Sequence, residues 1–188
     1  RRNTGLWAVR GWTRVYFGGT SDQPLPADYD GDCALEFAIF RETTGLWAIQ
    51  NWTRFYFGTS NDIPWAGDLD GDGEKDVWIF RPSSGLWAVR NISRFYFGGD
   101  LDLPVPARYR FDFRFNPAVY RKSSGLWAIR QASRFYFGGS ADDQPRPAGY
   151  GLSDLDQIAI FRENTALWAI RDFSRFYFGL PGDIPATR

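Results

Sequence analysis

Gly45-Leu46-Trp47-Ala48-Ile49-Gln50-Asn51-Trp52-Thr53-Arg54-Phe55-Tyr56-Phe57-Gly58 is two short aromatic and branched runs separated by a polar turn. Such runs, bounded by Gly, Asn and Thr, read as the two strands of a hairpin and not as a helix. The unit recurs. Its opening, Gly-Leu-Trp-Ala-(Val/Ile), stands at Gly5, Gly45, Gly85 and Gly125, and in variant form at Ala166. The intervals are 40, 40, 40 and 41 residues, the extra residue falling in Ala141–Pro145. The closing run recurs as Val15-Tyr16-Phe17, Phe55-Tyr56-Phe57, Phe95-Tyr96-Phe97, Phe135-Tyr136-Phe137 and Phe176-Tyr177-Phe178, each followed by glycine. A third element, apolar and ending in an aromatic and an arginine, occurs four times: Phe37–Arg41, Val77–Arg81, Ala118–Arg121 and Ile158–Arg162.

A period of about 40 residues made of short strands suits one four-stranded blade. Leu-Trp-Ala-Ile and Phe-Tyr-Phe carry apolar side chains on both faces of the pleat, so both are expected to be covered on both sides. No window has an apolar 3.6-residue period with caps. The expected fold is all-β: a single-domain β-propeller of five blades, with repeats at approximately 1–36, 37–76, 77–116, 117–157 and 158–188. A fourth strand is expected at the Pro-x-Pro/Ala segments, as in Leu25–Asp28 and Val105–Arg108. One copy of the third element is missing, so one blade lacks a strand within this chain. Pairing of the Asp183–Arg188 stretch beside the first hairpin, or residues upstream, would complete it. A β-solenoid or an open array of three-stranded units is the competing architecture.

The composition restricts the chemistry. The chain has 188 residues, 22 basic and 22 acidic, one cysteine and no histidine. Zero net charge argues against general nucleic-acid binding. Without histidine, Ser-His-Asp, Cys-His and His-ligated metal sites are excluded. Cys33 alone makes no internal disulfide. No apolar run approaches the length of a membrane-spanning helix. The chain opens without methionine or signal peptide, which reads as a processed or excised segment.

The loops between the second and third elements carry the chemical signal. One reads Asp68-Leu69-Asp70-Gly71-Asp72-Gly73-Glu74-Lys75-Asp76 and another Asp28-Tyr29-Asp30-Gly31-Asp32-Cys33-Ala34-Leu35-Glu36. Carboxylates at loop positions 1, 3, 5 and 9, with glycine at 4, let a tight loop wrap oxygens around one ion. Hard oxygen donors in a flexible cage suit Ca²⁺ better than Zn²⁺ or Mg²⁺. Cys33 stands where the other loop has glycine, a position that can require positive φ. The remaining two loops depart from the pattern, with Arg108, Arg110, Asp112 and Asn116 in one and Gly149, Gly151, Ser153 and Gln157 in the other. Arg110 or Arg108 could place a guanidinium where an ion would sit, beside Asp112. The alternating stretch Arg108–Phe115 reads as a strand with one buried aromatic face, or as an Arg/aromatic recognition surface.

Asp-x-Asp-Gly-Asp-Gly-x-x-Asp, preceded by Phe-Gly and followed by an apolar strand, resembles the FG-GAP/VCBS repeat. The resemblance covers nearly the whole chain through its repeats. It implies a calcium-binding β-propeller at the cell surface or outside the cell, with structural calcium in the loops. By position it implies ligands at Asp68, Asp70, Asp72 and Asp76, and at Asp28, Asp30, Asp32 and Glu36, for two Ca²⁺ sites.

Other residues recur once per repeat. Trp7, Trp47, Trp87, Trp127 and Trp168 are expected to pack between blades. Trp12 and Trp52 fall in turns and, with Arg108 and Arg110, are the candidate ligand-binding residues. Arg14, Arg54, Arg94, Arg134 and Arg175 precede the aromatic strand and are expected to link blades, by a carboxylate or a ring. Asn51 and Asn91 open formal glycosylation sequons, but their counterparts Gly11, Gln131 and Asp172 point to turn chemistry. The function expected is non-catalytic: a lectin- or adhesion-like module whose partner is a glycan or a surface protein. The alternative is a scaffold or homo-oligomer completed by strand addition from a neighbouring chain. A carboxylate-pair glycosidase is the remote third reading.

Overall fold

The recurring hairpins form as strand pairs joined by tight turns. In the computed structural model the chain is described over residues 4–183 and 185, and no helix occurs among them. Strands β1 (Leu6–Val9) and β2 (Thr13–Tyr16) make a two-stranded sheet. Four antiparallel four-stranded meanders follow in chain order. They are β3 (Asp22–Pro24), β4 (Ala38–Arg41), β5 (Leu46–Ile49) and β6 (Thr53–Tyr56); then β7 (Ile63–Gly67), β8 (Asp76–Arg81), β9 (Leu86–Val89) and β10 (Ser93–Tyr96). The third is β11 (Asp102–Pro104), β12 (Ala118–Arg121), β13 (Leu126–Ile129) and β14 (Ser133–Tyr136); the fourth is β15 (Asp143–Pro145), β16 (Ala159–Arg162), β17 (Leu167–Ile170) and β18 (Ser174–Tyr177). Each is a propeller-type blade. The first copy of the hairpin is represented, among the described residues, by β1 and β2 alone, so four complete blades are seen. The closing stretch expected at Asp183–Arg188 falls largely at positions 184 and 186–188, outside the described residues.

Two compact units divide the chain, Arg1–Asp68 with Asp72–Tyr96, and Leu69–Gly71 with Phe97–Arg188. In the first unit the face of β4 and β5 carrying Phe40, Trp47 and Ile49 packs on Val77, Ile79 and Ala88 of the next sheet. In the second, Tyr120, Trp127 and Ile129 pack on Ile158, Ile160 and Ala169. Sheet stacked on sheet therefore covers the apolar faces within each unit, as the sequence pattern demanded. Trp47 and Trp127 are fully buried. Their indole N–H groups donate to the carbonyls of Phe57 and Phe137, 3.0 Å in each case.

Two expectations need correction. The aromatic run is not covered on both faces: β6, β10, β14 and β18 lie at sheet edges, and their tyrosines are 73–74% exposed. The first strand of each sheet begins earlier than expected, at Asp22 and Asp102 rather than Leu25 and Val105. Proline explains its end. Pro26 and Pro106 have no N–H to give the ladder, so pairing resumes only as isolated bridges, Ala27 to Glu36 and Ala107 to Asn116. Where the repeat has Ala66 instead, β7 runs unbroken to Gly67.

That early start places a buried acid opposite the arginine closing the third element. Asp22 pairs with Arg41, Asp62 with Arg81, Asp102 with Arg121 and Asp143 with Arg162, at 2.7–2.8 Å. Each guanidinium bonds both carboxylate oxygens. The second oxygen of Asp22, Asp62 and Asp143 also accepts a backbone N–H three residues earlier, from Gly19, Thr59 and Ser140. The Arg41 guanidinium holds the Asp22 carboxyl below its ordinary range, against the opposing effect of burial. The arginines expected to link blades do not form these pairs. Arg14, Arg54, Arg94, Arg134 and Arg175 are exposed on the edge strands. The ring contacts come instead from turn arginines, Arg90 over Phe55 at 4.0 Å and Arg171 over Phe135 at 4.2 Å.

Candidate functional site

Between the first and second strands of each complete sheet lies the nine-position segment of the repeat, 28–36, 68–76, 108–116 and 149–157, and its own side chains bond its backbone. In the first, Asp28 accepts the N–H groups of Gly31 (2.7 Å) and Cys33 (3.1 Å). Asp32 accepts Ala34 N–H at 2.7 Å, and Asp30 accepts Asp32 N–H at 3.3 Å. Gly31 and Cys33 have φ of 76° and 68°. Cys33 therefore occupies the left-handed conformation for which the other acidic loop uses Gly73 (φ 99°). These turns bring carboxylate oxygens of Asp28, Asp30 and Asp32 within 4.8 Å of one another. Asp68 and Asp76, with Asp70 as third member, make the second such group.

The structure does not bring Glu36 into the first group. Its Oε2 instead accepts the N–H of Tyr29 at 2.7 Å. The same bond appears where the acids are gone: Asn116 Oδ1 accepts Tyr109 N–H at 3.1 Å, and Gln157 Oε1 accepts Tyr150 N–H. An oxygen at position 9 is thus a brace for the loop backbone whatever its charge. Asp72 stands outside the second group and accepts Glu74 N–H at 2.9 Å.

The divergent loops keep the oxygen brace at position 9 and change the rest: among the described residues neither has the left-handed residue at position 4 that Gly31 and Gly71 supply, and the fourth has none at position 6 either. In the third, Arg110 lies 3.9 Å from Asp112, both side chains partly exposed. Arg108 is engaged through its backbone, donating N–H to Asp156 and accepting Asp156 N–H, both at 2.8 Å. The expected strand over Arg108–Phe115 is not formed. Phe113 takes φ 61°, and Phe111 and Phe113 are 79% and 68% exposed. In the fourth loop the Gln157 amide nitrogen donates to Ser153 Oγ and Leu155 carbonyl, each at 2.9 Å.

The turn residues behave as their chemistry suggests. Gly11, Asn51, Asn91, Gln131 and Asp172 all have positive φ, 59–77°. Trp12 and Trp52 are exposed at 71% and 54%. Trp12 lies 6.4 Å from Phe37, and Trp52 lies 6.5 Å from Tyr29 of the first acidic loop.

The donor set fits a hard cation. Three carboxylates converge without nitrogen or sulfur donors in the group, and each retains oxygen lone pairs beyond its backbone bond. Fold and site together define a blade-repeat protein with two acidic loops. Compared with family models, with curated proteins and with solved structures, the chain matches none.

Proposed function

We propose that the chain is a non-catalytic, calcium-braced binding module of FG-GAP/VCBS type, built as a five-bladed propeller and working at the cell surface or outside the cell. The convergence of Asp28, Asp30 and Asp32 carries this reading. The contrast with the other loops supports it: the same stretch of the repeat there holds Arg110 beside Asp112, or the Gln157 amide, which need no ion. Asp28, Asp30 and Asp32 would hold one Ca²⁺, and Asp68, Asp70 and Asp76 a second. The ions would neutralise the carboxylates and stiffen the loops. Millimolar extracellular calcium fills even weak sites of this kind. The partner is a glycan or a surface protein.

An ion bound only by the folded state raises stability. Calcium should therefore raise Tm relative to chelator, and Asp30→Ala or Asp70→Ala should each remove part of the gain. A Tm indifferent to calcium in the parent chain sinks the proposal. A scaffold completed by strand addition is the second reading. It is favoured by β1, where Val9 is 43% exposed while its counterpart Ile49 is 4% exposed. Solution mass with and without chelator separates the two. A calcium-stable monomer selects the binding module, and an oligomer or filament selects the scaffold.

A further inference from the structure

Two cavities occupy the same place in the repeat, one in each unit. The first, of about 330 Å³, lies between Phe17 and the turn from β5 to β6, lined by Gln50, Asn51, Trp52, Thr53 and Arg54. The second, of about 410 Å³, lies between Phe137 and the turn from β17 to β18, lined by Arg171, Asp172, Phe173, Ser174 and Arg175. Both sizes fall in the range of small-molecule sites. Phe17 and Phe137 are three repeats apart, as are Trp52 and Phe173.

Both clefts place an exposed aromatic wall beside a hydroxyl and a guanidinium, Trp52, Thr53 and Arg54 in the first and Phe173, Ser174 and Arg175 in the second, where Arg171 adds a second guanidinium. A flat apolar face beside a planar, multiply donating group matches a pyranose ring. Such a ring offers C–H groups on one side and vicinal hydroxyls at its edge. The equivalent turns at Ile92 and Ala132 have no aromatic wall, and Trp12 instead lies near Phe37. The turns that carry the walls are closed in advance. Trp52 lies beside buried Tyr29, whose hydroxyl donates to Leu25 carbonyl at 2.8 Å. Its turn is closed by Trp52 N–H to Ile49 carbonyl, and the second by Phe173 N–H to Ile170 carbonyl, both 3.2 Å. Turns already closed lower the ordering cost of binding.

Each cleft carries one net positive charge. The first cleft has a single cation, Arg54, among amides and a hydroxyl. In the second, Arg171 already lies 3.5 Å from Asp172 and over the Phe135 ring.

We propose that both clefts are pyranose subsites for a neutral oligosaccharide, stacked on Trp52 and Phe173 and hydrogen-bonded by Arg54 and Arg175. This rests on the binding-module reading and names its ligand class. The test is calorimetric titration of the full chain in calcium with maltotriose, cellotriose and chitotriose. One of the three should saturate two sites per chain. Trp52→Ala and Phe173→Ala should each remove one site, and the double variant both. Both side chains are more than half exposed, so Tm should hold, and a measured Tm checks it. Arg54→Lys should weaken the first site about tenfold, because it keeps the charge and loses the planar donors. Absence of binding by all three sugars, or two sites surviving in the double variant, overturns the inference. The underlying reading fails separately, by a Tm that ignores calcium.

Discussion

The repeat contains its own test of backbone strain, at Gly125 and Ala166. Both residues open the same hairpin and both belong to the second unit. Gly125 has φ 68° and Ala166 φ 52°. A Cβ at Gly125 would lie 2.7 Å from the Gly138 oxygen, 2.8 Å from its carbonyl carbon and 2.9 Å from the Gly139 nitrogen. All three are backbone atoms, fixed by Phe137 N–H donating to Gly125 carbonyl at 2.8 Å. At the fifth copy that bond, Phe178 N–H to Ala166 carbonyl, is 3.1 Å. The alanine is accommodated by a lower φ and a longer bond. A left-handed alanine costs roughly 1–2 kcal/mol, whereas glycine loses about 0.4–1 kcal/mol through its freer unfolded chain. Ala166→Gly should therefore stabilise by about 0.5–1 kcal/mol. Gly125→Ala adds the backbone collision and should destabilise by about 2 kcal/mol or more. At about 2–4 °C per kcal/mol for a chain of this size, Tm should rise by about 1–4 °C in the first and fall by about 4–8 °C in the second. Thermal and urea unfolding followed by tryptophan fluorescence would measure both. An Ala166→Gly chain less stable than its parent, or a neutral Gly125→Ala, would refute the strain argument.

Two further substitutions test the buried polar groups. Arg41→Met should cost about 3 kcal/mol, because it strands a buried carboxylate. Since the folded Asp22 carboxyl titrates below its unfolded value of about 3.9, the pair's contribution is complete above that pH. It drains as pH falls through the folded value. Arg41→Met should therefore flatten the acid limb of a Tm–pH curve, and an unchanged limb would count against the pair. Tyr120 stands where the other complete sheets have Phe40, Phe80 and Phe161, and its buried hydroxyl has the Gly139 backbone beside it but no partner in good hydrogen-bond geometry among the described residues. Tyr120→Phe should be neutral or stabilising by up to about 1 kcal/mol; a loss in chemical denaturation above that size would mean that the hydroxyl is bonded after all.

The hairpins were legible because strand composition and turn chemistry agree at every copy. Positive φ at Asn51 and Asn91 matches the turn chemistry expected there. The Asp–Arg pairs were not legible. Asp22 looks like a turn acid, and its partner lies 19 residues away across a strand. The signal was present all the same: Asp22, Asp62, Asp102 and Asp143 recur in step with Arg41, Arg81, Arg121 and Arg162. The exposed tyrosines were misread for another reason. Composition shows that Phe-Tyr-Phe is aromatic on both faces, but only the sheet order shows that it is an edge. Glu36 illustrates a third limit. Its charge and spacing suggest a ligand, while Asn116 and Gln157 reveal a brace that needs only an oxygen.

That brace separates folding from charge in the acidic loops. Position 9 secures the backbone in Glu36, Asn116 and Gln157 loops alike. Position 5 accepts the N–H of position 7 from Ala34, Glu74 and Arg114. Positions 1 and 3 change freely, from Asp28 and Asp30 to Arg108 and Arg110 to Gly149 and Gly151. The acids at position 1 do bond the loop backbone, Asp28 and Asp68 each accepting the N–H of position 6, but repulsion among three converging carboxylates is a cost that the brace at position 9 does not carry. The third loop allows the converse experiment, since its brace, its Asp112 and its left-handed Phe113 are already in place. Arg108→Asp with Arg110→Asp should create a calcium site there. Equilibrium dialysis should find one more bound calcium per chain than in the parent, with a larger calcium-dependent rise in Tm. If the doubly substituted chain folds and binds no additional calcium, then acids at positions 1, 3 and 5 on this backbone do not suffice, and the assignment of the first two loops loses its basis.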